Sequence, residues 1–352
     1  METTQKIIFG NANDMSTVAD NSVDLMVTSP PYPMIKMWDD IFSKQTPVIA
    51  DALQHKDGRS AFELMHVELD KVWREVYRVL KDGGFGCINI GDATRTIGGK
   101  FMLYPNHARI LQCCMELGFH PLPEIIWRKQ TNAPNKFMGS GMLPAGAYIT
   151  LEHEFIIILR KGDKRAFRSK EEKLERQKSA LFWEERNLWF SDVWEDLKGT
   201  RQNNIRKEIR ERSGAYPFEL AYRLINMYSI KCDIVLDPFL GTGTTMLAAM
   251  ATGRNSIGYE INPNFKKYIF ARFENAVEFS NKLIEKRVKN HLKFIRKRVK
   301  AEGEQGYTNR LCGFPVVTRQ ETEINFETLK KVSRKNNTFK VEYKESPAQY
   351  LE

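Results

Sequence analysis

Residues 233–253 read DIVLDPFLGTGTTMLAAMATG. Ile234, Val235 and Leu236 make a short apolar run that reads as a buried strand, and Asp237 ends it. Gly241 and Gly243 then form a tight turn, and a helix opens near Thr244 and Thr245. A buried strand that passes through a glycine turn into a helix is one step of a parallel sheet with crossover helices. The same alternation extends in both directions. Downstream, RNSIGYEI reads as a strand and FKKYIFARFENAVEF as a helix; upstream, AYPFELAYRLINMYS reads as a helix introduced by Pro217, a residue suited to a first turn. Nearer the N-terminus, KIIF and SVDLMVT read as strands. FELMHVELDKVWREVYRVL carries Leu64, Val67, Val72, Val76 and Val79 at helical spacing and stops at KDGG. FGCINIG, PEIIWRK and EFIIILRKG read as further strands, with the helix HARILQCCMELGF between the first two. The fold expected is α/β, a doubly wound and mostly parallel sheet.

The chain has 352 residues, 42% hydrophobic and 28% charged, a globular composition long enough for a sizeable core. Its formal net charge is +10, an excess of Lys and Arg that suits a polyanionic partner. The five cysteines form no C-x-x-C pair, which argues against a zinc site and a disulfide framework and for reduced thiols. The N-terminus lacks the features of a signal peptide and no run reaches the length of a membrane span, so the expected location is the cytoplasm.

The glycine turn narrows the cofactor. A P-loop would carry Lys after its second glycine, and none follows Gly243; a dinucleotide fingerprint would place a third glycine where Met246 stands. The remaining common reading is an S-adenosylmethionine loop, with Glu260 at the end of the next strand able to accept both ribose hydroxyls. A purely structural reading stays open, in which the glycines turn a corner and Glu260 caps a helix.

A second stretch, DLMVTSPPYPMIKMW (24–38), raises the question of the nucleophile. Neither Pro30 nor Pro31 can donate to a strand ladder, so a strand ends here in a stiff loop tipped by Tyr32. The Ser29 hydroxyl and the Pro30 carbonyl are acceptors suited to an exocyclic NH2, where they would take up positive charge as its nitrogen attacks a methyl carbon. Tyr32 can stack on a flat base, worth about 1–3 kcal/mol. A duplex base would first have to leave the stack. Carbon-5 methylation of cytosine would need a thiolate in a loop, and Cys87 falls inside a strand pattern. A plain proline turn is the structural reading of the same residues.

With these residues in view, the sequence resembles the amino-methyltransferases of bacterial restriction–modification systems, in the β arrangement where the catalytic loop precedes the cofactor loop. TSPPY resembles the catalytic motif, DPFLGTGTT the cofactor motif, SIGYEI the acidic strand end and GAYPFELAYRLI the segment before the cofactor strand. The resemblance covers roughly residues 5 to 162 and 210 to 275. It implies a Rossmann-like methyltransferase fold with an added DNA-recognition region. It implies that Ser29, Pro30, Pro31 and Tyr32 bind and activate the target amine. Asp237, Pro238, Phe239, Gly241, Gly243 and Thr244 would cradle the methionine end of S-adenosylmethionine, and Glu260 would bind its ribose. Asn11 stands where the family usually has Asp, and Pro217 and Asp92 come from neighbouring motifs. A serine before the two prolines is commoner in enzymes resembling cytosine-N4 methylases, so cytosine is favoured over adenine N6. An RNA-directed methyltransferase and a non-catalytic DNA-binding protein are further readings of the same residues.

The expected organisation is a catalytic half at 1–162, an insertion at 163–212, a cofactor half at 213–279 and a basic tail at 280–352. Insertion and tail are both candidates for DNA recognition, and TNAPNKFMGSGMLP (131–144) is a third. In the tail, Lys282, Lys286, Lys289, Lys293 and Lys297 recur at helical spacing and are the candidate phosphate contacts, a solvated surface helix being the plainer reading. The expected partner is double-stranded DNA, with no metal and no membrane; a homodimer and a cognate restriction endonuclease are the further partners considered.

Overall fold

The computed structural model of the chain describes residues 1–129, 138–198, 216–303 and 306–345. In chain order the strands are β1 (Glu2–Phe9), β2 (Val23–Thr28), β3 (Leu80–Ile90), β4 (Ala93–Ile97), β5 (Lys100–Tyr104), β6 (Phe119–Arg128), β7 (His153–Lys161), β8 (Val193–Trp194), β9 (Ile234–Asp237), β10 (Asn255–Glu260), β11 (Tyr307–Thr308), β12 (Pro315–Val316), β13 (Glu327–Lys335) and β14 (Thr338–Glu345). The helices are α1 (Asp39–Gln45), α2 (Pro47–Gln54), α3 (Gly58–Val79), α4 (Asn106–Glu116), α5 (Lys170–Lys178), α6 (Trp183–Trp189), α7 (Phe218–Tyr228), α8 (Thr244–Ala251), α9 (Lys266–Glu274) and α10 (Ala276–Glu302).

One 10-stranded sheet runs in the order β13-β14-β1-β10-β9-β2-β3-β7-β6-β8. Its centre, β1-β10-β9-β2-β3, is parallel throughout. On one side β7 joins β3 antiparallel, and on the other the β13–β14 hairpin joins β1 antiparallel. The expected parallel sheet is therefore the core of a mixed one.

Side chains alternate across a strand, and β2 shows what that does here. Met26 packs with α3 and α4 residues such as Trp73 and Ile110, whereas Leu25 and Val27 pack with Leu220 and Ile225 of α7 and Ala248 of α8. Every residue of β2 is buried. Helices on both faces of a central parallel strand make the sheet doubly wound, and such sheets bind ligands outside the carboxyl ends of their strands.

The insertion and the tail, separate in sequence, share a small core of their own. Phe182 packs with Ile284, Val288, Phe314 and Phe326. Arg287 of α10 forms a bidentate pair with Glu185 of α6 at 2.6 and 2.7 Å, and His291 stacks on Phe182 with ring centroids 3.7 Å apart. Residues 199–212 of the insertion and 131–137 of the third candidate segment lie outside the described residues.

Candidate active site

The carboxyl ends of β1, β2, β9 and β10 open onto one cavity of about 790 Å³. Its lining brings together Ser29, Pro30, Pro31 and Tyr32 with Asp237, Pro238, Phe239, Gly241, Thr244 and Glu260, residues some two hundred positions apart in the chain. Asn11 lines it as well.

The two loops are tied to each other beneath the cavity. Asp237 accepts hydrogen bonds from Thr28 Oγ1 at 2.6 Å, from Thr245 Oγ1 at 2.7 Å and from the Phe239 backbone N–H at 3.1 Å. Burial pushes its carboxyl up to about 6, against the pull of those three donors. Asp237 thus anchors the end of β2 to the turn after β9, and Tyr216 continues the chain of contacts through Thr245. Gly243 adopts φ 81° as the cap of α8, and its missing Cβ leaves room for Phe273 at 3.1 Å. It is a turn and packing residue outside the cavity lining. Gly241, at φ 52°, differs: a Cβ there would meet nothing of the protein closer than 3.9 Å.

Glu260 is buried, and each of its oxygens takes one backbone N–H, Gly241 on Oε2 and Asn262 on Oε1, both at 2.8 Å. Desolvation raises its carboxyl to about 7 in spite of these bonds. A carboxylate has about four acceptor positions, so two remain for a diol. That capacity, the open approach to Gly241, and the buried Thr242 hydroxyl without a protein partner fit the amino-acid and ribose parts of S-adenosylmethionine.

Around Tyr32 the structure adds groups that sequence reasoning missed. The Tyr32 hydroxyl donates to Glu154 Oε2 at 2.9 Å and accepts from Asn89 Nδ2 at 2.8 Å. Asn89 also donates to Glu154 Oε2 at 2.7 Å, and Lys129 Nζ holds Glu154 Oε1 at 2.6 Å. An ionised carboxylate only accepts. The single Tyr32 proton is therefore committed to Glu154, and the 3.2 Å contact between Ser29 Oγ and the Tyr32 oxygen must use the serine proton. The lone pairs of Ser29 are left for a donor in the cavity. Asn89 Oδ1 is buried without a partner, a cost of about 1–3 kcal/mol. Gly91 has no side chain where a Cβ would stand 3.0 Å from the Tyr32 ring. The available signal for Glu154 was an acid at the head of the apolar run FIIIL; nothing in the sequence pairs it with Tyr32, 122 residues away.

Other expected residues lie apart. Pro217 is buried as the cap of α7, and its neighbour Tyr216 reaches the cavity in its place. Asp92 is spent on His107, accepting from its backbone N–H at 3.1 Å and meeting Nδ1 at 2.9 Å. Lys282, Lys286, Lys289, Lys293 and Lys297 are exposed along one face of α10, opposite Ile284, Val288, His291 and Ile295. Ile284 and Arg287 line a small pocket together with Lys231, Thr252 and Arg254, which precede β9 and β10. The structure therefore sets these turns of α10 near the amino ends of β9 and β10, whereas the cavity lies at their carboxyl ends. Cys87 is buried within β3, outside the cavity lining, and burial pushes its thiol up. Among the described residues no His, Cys, Asp or Glu cluster could hold a metal, and no helix is long and apolar enough to cross a membrane.

Comparison with known proteins bears on this arrangement. Residues 23–271 match the DNA methylase family that groups N6 and N4 methyltransferases. The chain is 53% identical to the type II methyltransferase M.MthZI of Methanothermobacter thermautotrophicus over 98% of its length and 96% of the relative's. It is 48% identical to the type II methyltransferase M.MjaI of Methanocaldococcus jannaschii over 76% of this chain and 90% of that one. Among solved structures, a protein of Thermus thermophilus assigned as a DNA modification methylase, complexed with S-adenosyl-L-methionine, superposes with a TM-score of 0.59 at 34% identity, covering 78% of this chain and 96% of its own. The fold is shared with the cytosine-N4-specific PvuII DNA methyltransferase, at a TM-score of 0.53 and 17% identity, over 79% of this chain and 93% of that one. The chain belongs to the DNA methylase family.

Proposed function

We propose that this DNA methyltransferase transfers a methyl group from S-adenosylmethionine to the exocyclic N4 of cytosine in duplex DNA. The observation that carries the reading is one cavity lined both by the Ser29–Tyr32 loop and by Gly241 and Glu260. Glu260 would hold the ribose diol, the turn from Asp237 to Thr244 would cradle the methionine end, and Asn11 lies within reach of the same ligand. Bound there, the cofactor supplies an electrophilic methyl group on a sulfonium.

The chain's own part is to hold an amine in line. Ser29 Oγ and the Pro30 carbonyl would accept from the NH2, leaving the nitrogen lone pair free, and both stabilise the positive charge that grows on nitrogen. Pro30 and Pro31 keep the two acceptors in place, so little reorganisation accompanies the step. Tyr32 would pack on the flipped base, its hydroxyl already fixed by Asn89 and Glu154. Cytosine is favoured because the serine before the two prolines resembles the motif of N4 methylases. Likeness to type II methyltransferases supports a role in protecting host DNA beside a cognate nuclease, in the cytoplasm.

Incubation of the protein with S-adenosylmethionine and duplex DNA, followed by nucleoside mass spectrometry, tests the assignment. The expected product is N4-methylcytosine. N6-methyladenine as the sole product would overturn the choice of base while leaving the site, and methylation of RNA alone would overturn the substrate.

A further inference from the structure

Three groups stand in a row along the wall of the cavity where the target amine would sit. Ser29 Oγ donates to the Tyr32 oxygen at 3.2 Å, and the Tyr32 hydroxyl donates to Glu154 Oε2 at 2.9 Å. The terminal carboxylate is buried and fixed on its other side by Lys129 and Asn89. Every hydroxyl proton in the row points the same way, from Ser29 toward Glu154, which with Lys129 also lines the cavity.

We propose that Ser29, Tyr32 and Glu154 form a proton relay that neutralises the methylated amine. This rests on the reading of the cavity as an amine-methylation site. As the amine nitrogen bonds to the methyl carbon, the carbon–sulfur electrons return to sulfur, and the positive charge growing on nitrogen releases one of its protons in the same step. That proton passes to Ser29 Oγ, the serine proton passes to the Tyr32 oxygen, and the tyrosine proton passes to Glu154 Oε2. The amine ends neutral, both hydroxyls are regenerated, and one carboxylate becomes a carboxylic acid. No outside oxidant or base enters the balance. An amino nitrogen gaining that charge is a strong acid, so a carboxylate held by Lys129 is base enough to take its proton. Desolvation and the adjacent Glu154 charge keep the Tyr32 phenol from ionising on its own, so it acts as a conduit that gives one proton as it gains another.

The test is single-turnover methylation of a duplex by Glu154→Gln, Tyr32→Phe and the double variant. Gln keeps an oxygen that accepts from Tyr32 and Asn89 but turns its amide N–H toward Lys129, so the structural role is kept only when Lys129→Met accompanies it, whereas a relay would be lost in both. Each single variant is expected to lose about 100-fold in methyl-transfer rate. The double variant should lose no more than either, since both cut the same path. A solvent deuterium isotope effect on methyl transfer should appear in the unmodified enzyme and be lost from Glu154→Gln. Two readouts besides activity check integrity: calorimetric S-adenosylmethionine affinity and the fluorescence of 2-aminopurine at the target position should both stay unchanged. Adding Lys129→Met to Glu154→Gln restores the local charge balance and should not restore the rate. A Glu154→Gln enzyme at full speed, or losses that multiply in the double variant, would overturn the relay alone. An unmodified chain that methylates no duplex amine would remove the underlying reading and the relay with it.

Discussion

Ser29 has one hydroxyl proton, and its geometry with Tyr32 decides where that proton goes. The serine is left as an acceptor toward the cavity, while Glu260 lines the same cavity with acceptor capacity for a diol. These two residues are expected to fail differently. Ser29→Ala should lower kcat by about 100-fold or more while cofactor affinity stays within about twofold, because the lost hydroxyl would serve the amine and Tyr32 and not the cofactor. Glu260→Ala should weaken cofactor binding by about 10- to 100-fold, since it removes charge-assisted hydrogen bonds and strands the Gly241 and Asn262 N–H groups. Calorimetry with S-adenosylmethionine and steady-state kinetics on the same samples separate the two signatures. The elevated Glu260 carboxyl adds a pH dependence. Its proton is held more tightly folded than unfolded, so its contribution to stability is complete below 4.5 and is lost as pH rises toward about 7. Cofactor binding runs the other way, because a ribose diol donates to the ionised form. Affinity should be about tenfold weaker at pH 6 than at pH 8, and Glu260→Gln should flatten that profile.

The glycine turn was legible as an element because strand, turn and helix each leave their mark in consecutive residues. What the pattern did not separate was the work of its two glycines. Gly241 leaves the cavity open, whereas Gly243 caps α8 in a left-handed conformation against Phe273 and Ile269. Gly243→Ala should therefore destabilise the protein by about 1–3 kcal/mol in denaturant unfolding, from the left-handed backbone plus the crowding of Phe273. Gly241→Ala should cost cofactor affinity more than its backbone strain alone explains. The β6 and β7 strands were legible too, but not their direction. Whether β7 runs with or against β3 depends on pairing between distant segments, and the antiparallel choice is what puts Glu154, at the head of β7, beside Asn89 near the end of β3.

For the molecule as a whole, the basic helix α10 is the instructive case. Its five lysines share an exposed face, as helical spacing predicts, yet its lower turns pack at the end of the sheet opposite the cavity. A flipped base entering at the carboxyl ends would keep its flanking phosphates there. Replacing Lys289, Lys293 and Lys297 by Gln should then leave DNA affinity and its salt slope unchanged in fluorescence anisotropy. A drop of about 0.9 in slope per lysine would instead establish this helix as a phosphate contact. By itself the sequence determined the two motifs and the strands and helices that carry them, because periodicity, glycine placement and residue type are local quantities; α1, α2 and the β4–β5 hairpin came only with the structure. Only the tertiary structure decided that the motifs share one cavity, that Glu154, Lys129 and Asn89 stand behind Tyr32, and that insertion and tail form a common core. Those facts depend on which strands become neighbours, and strand order is fixed by long-range packing on both faces of β2 that no single stretch of sequence encodes.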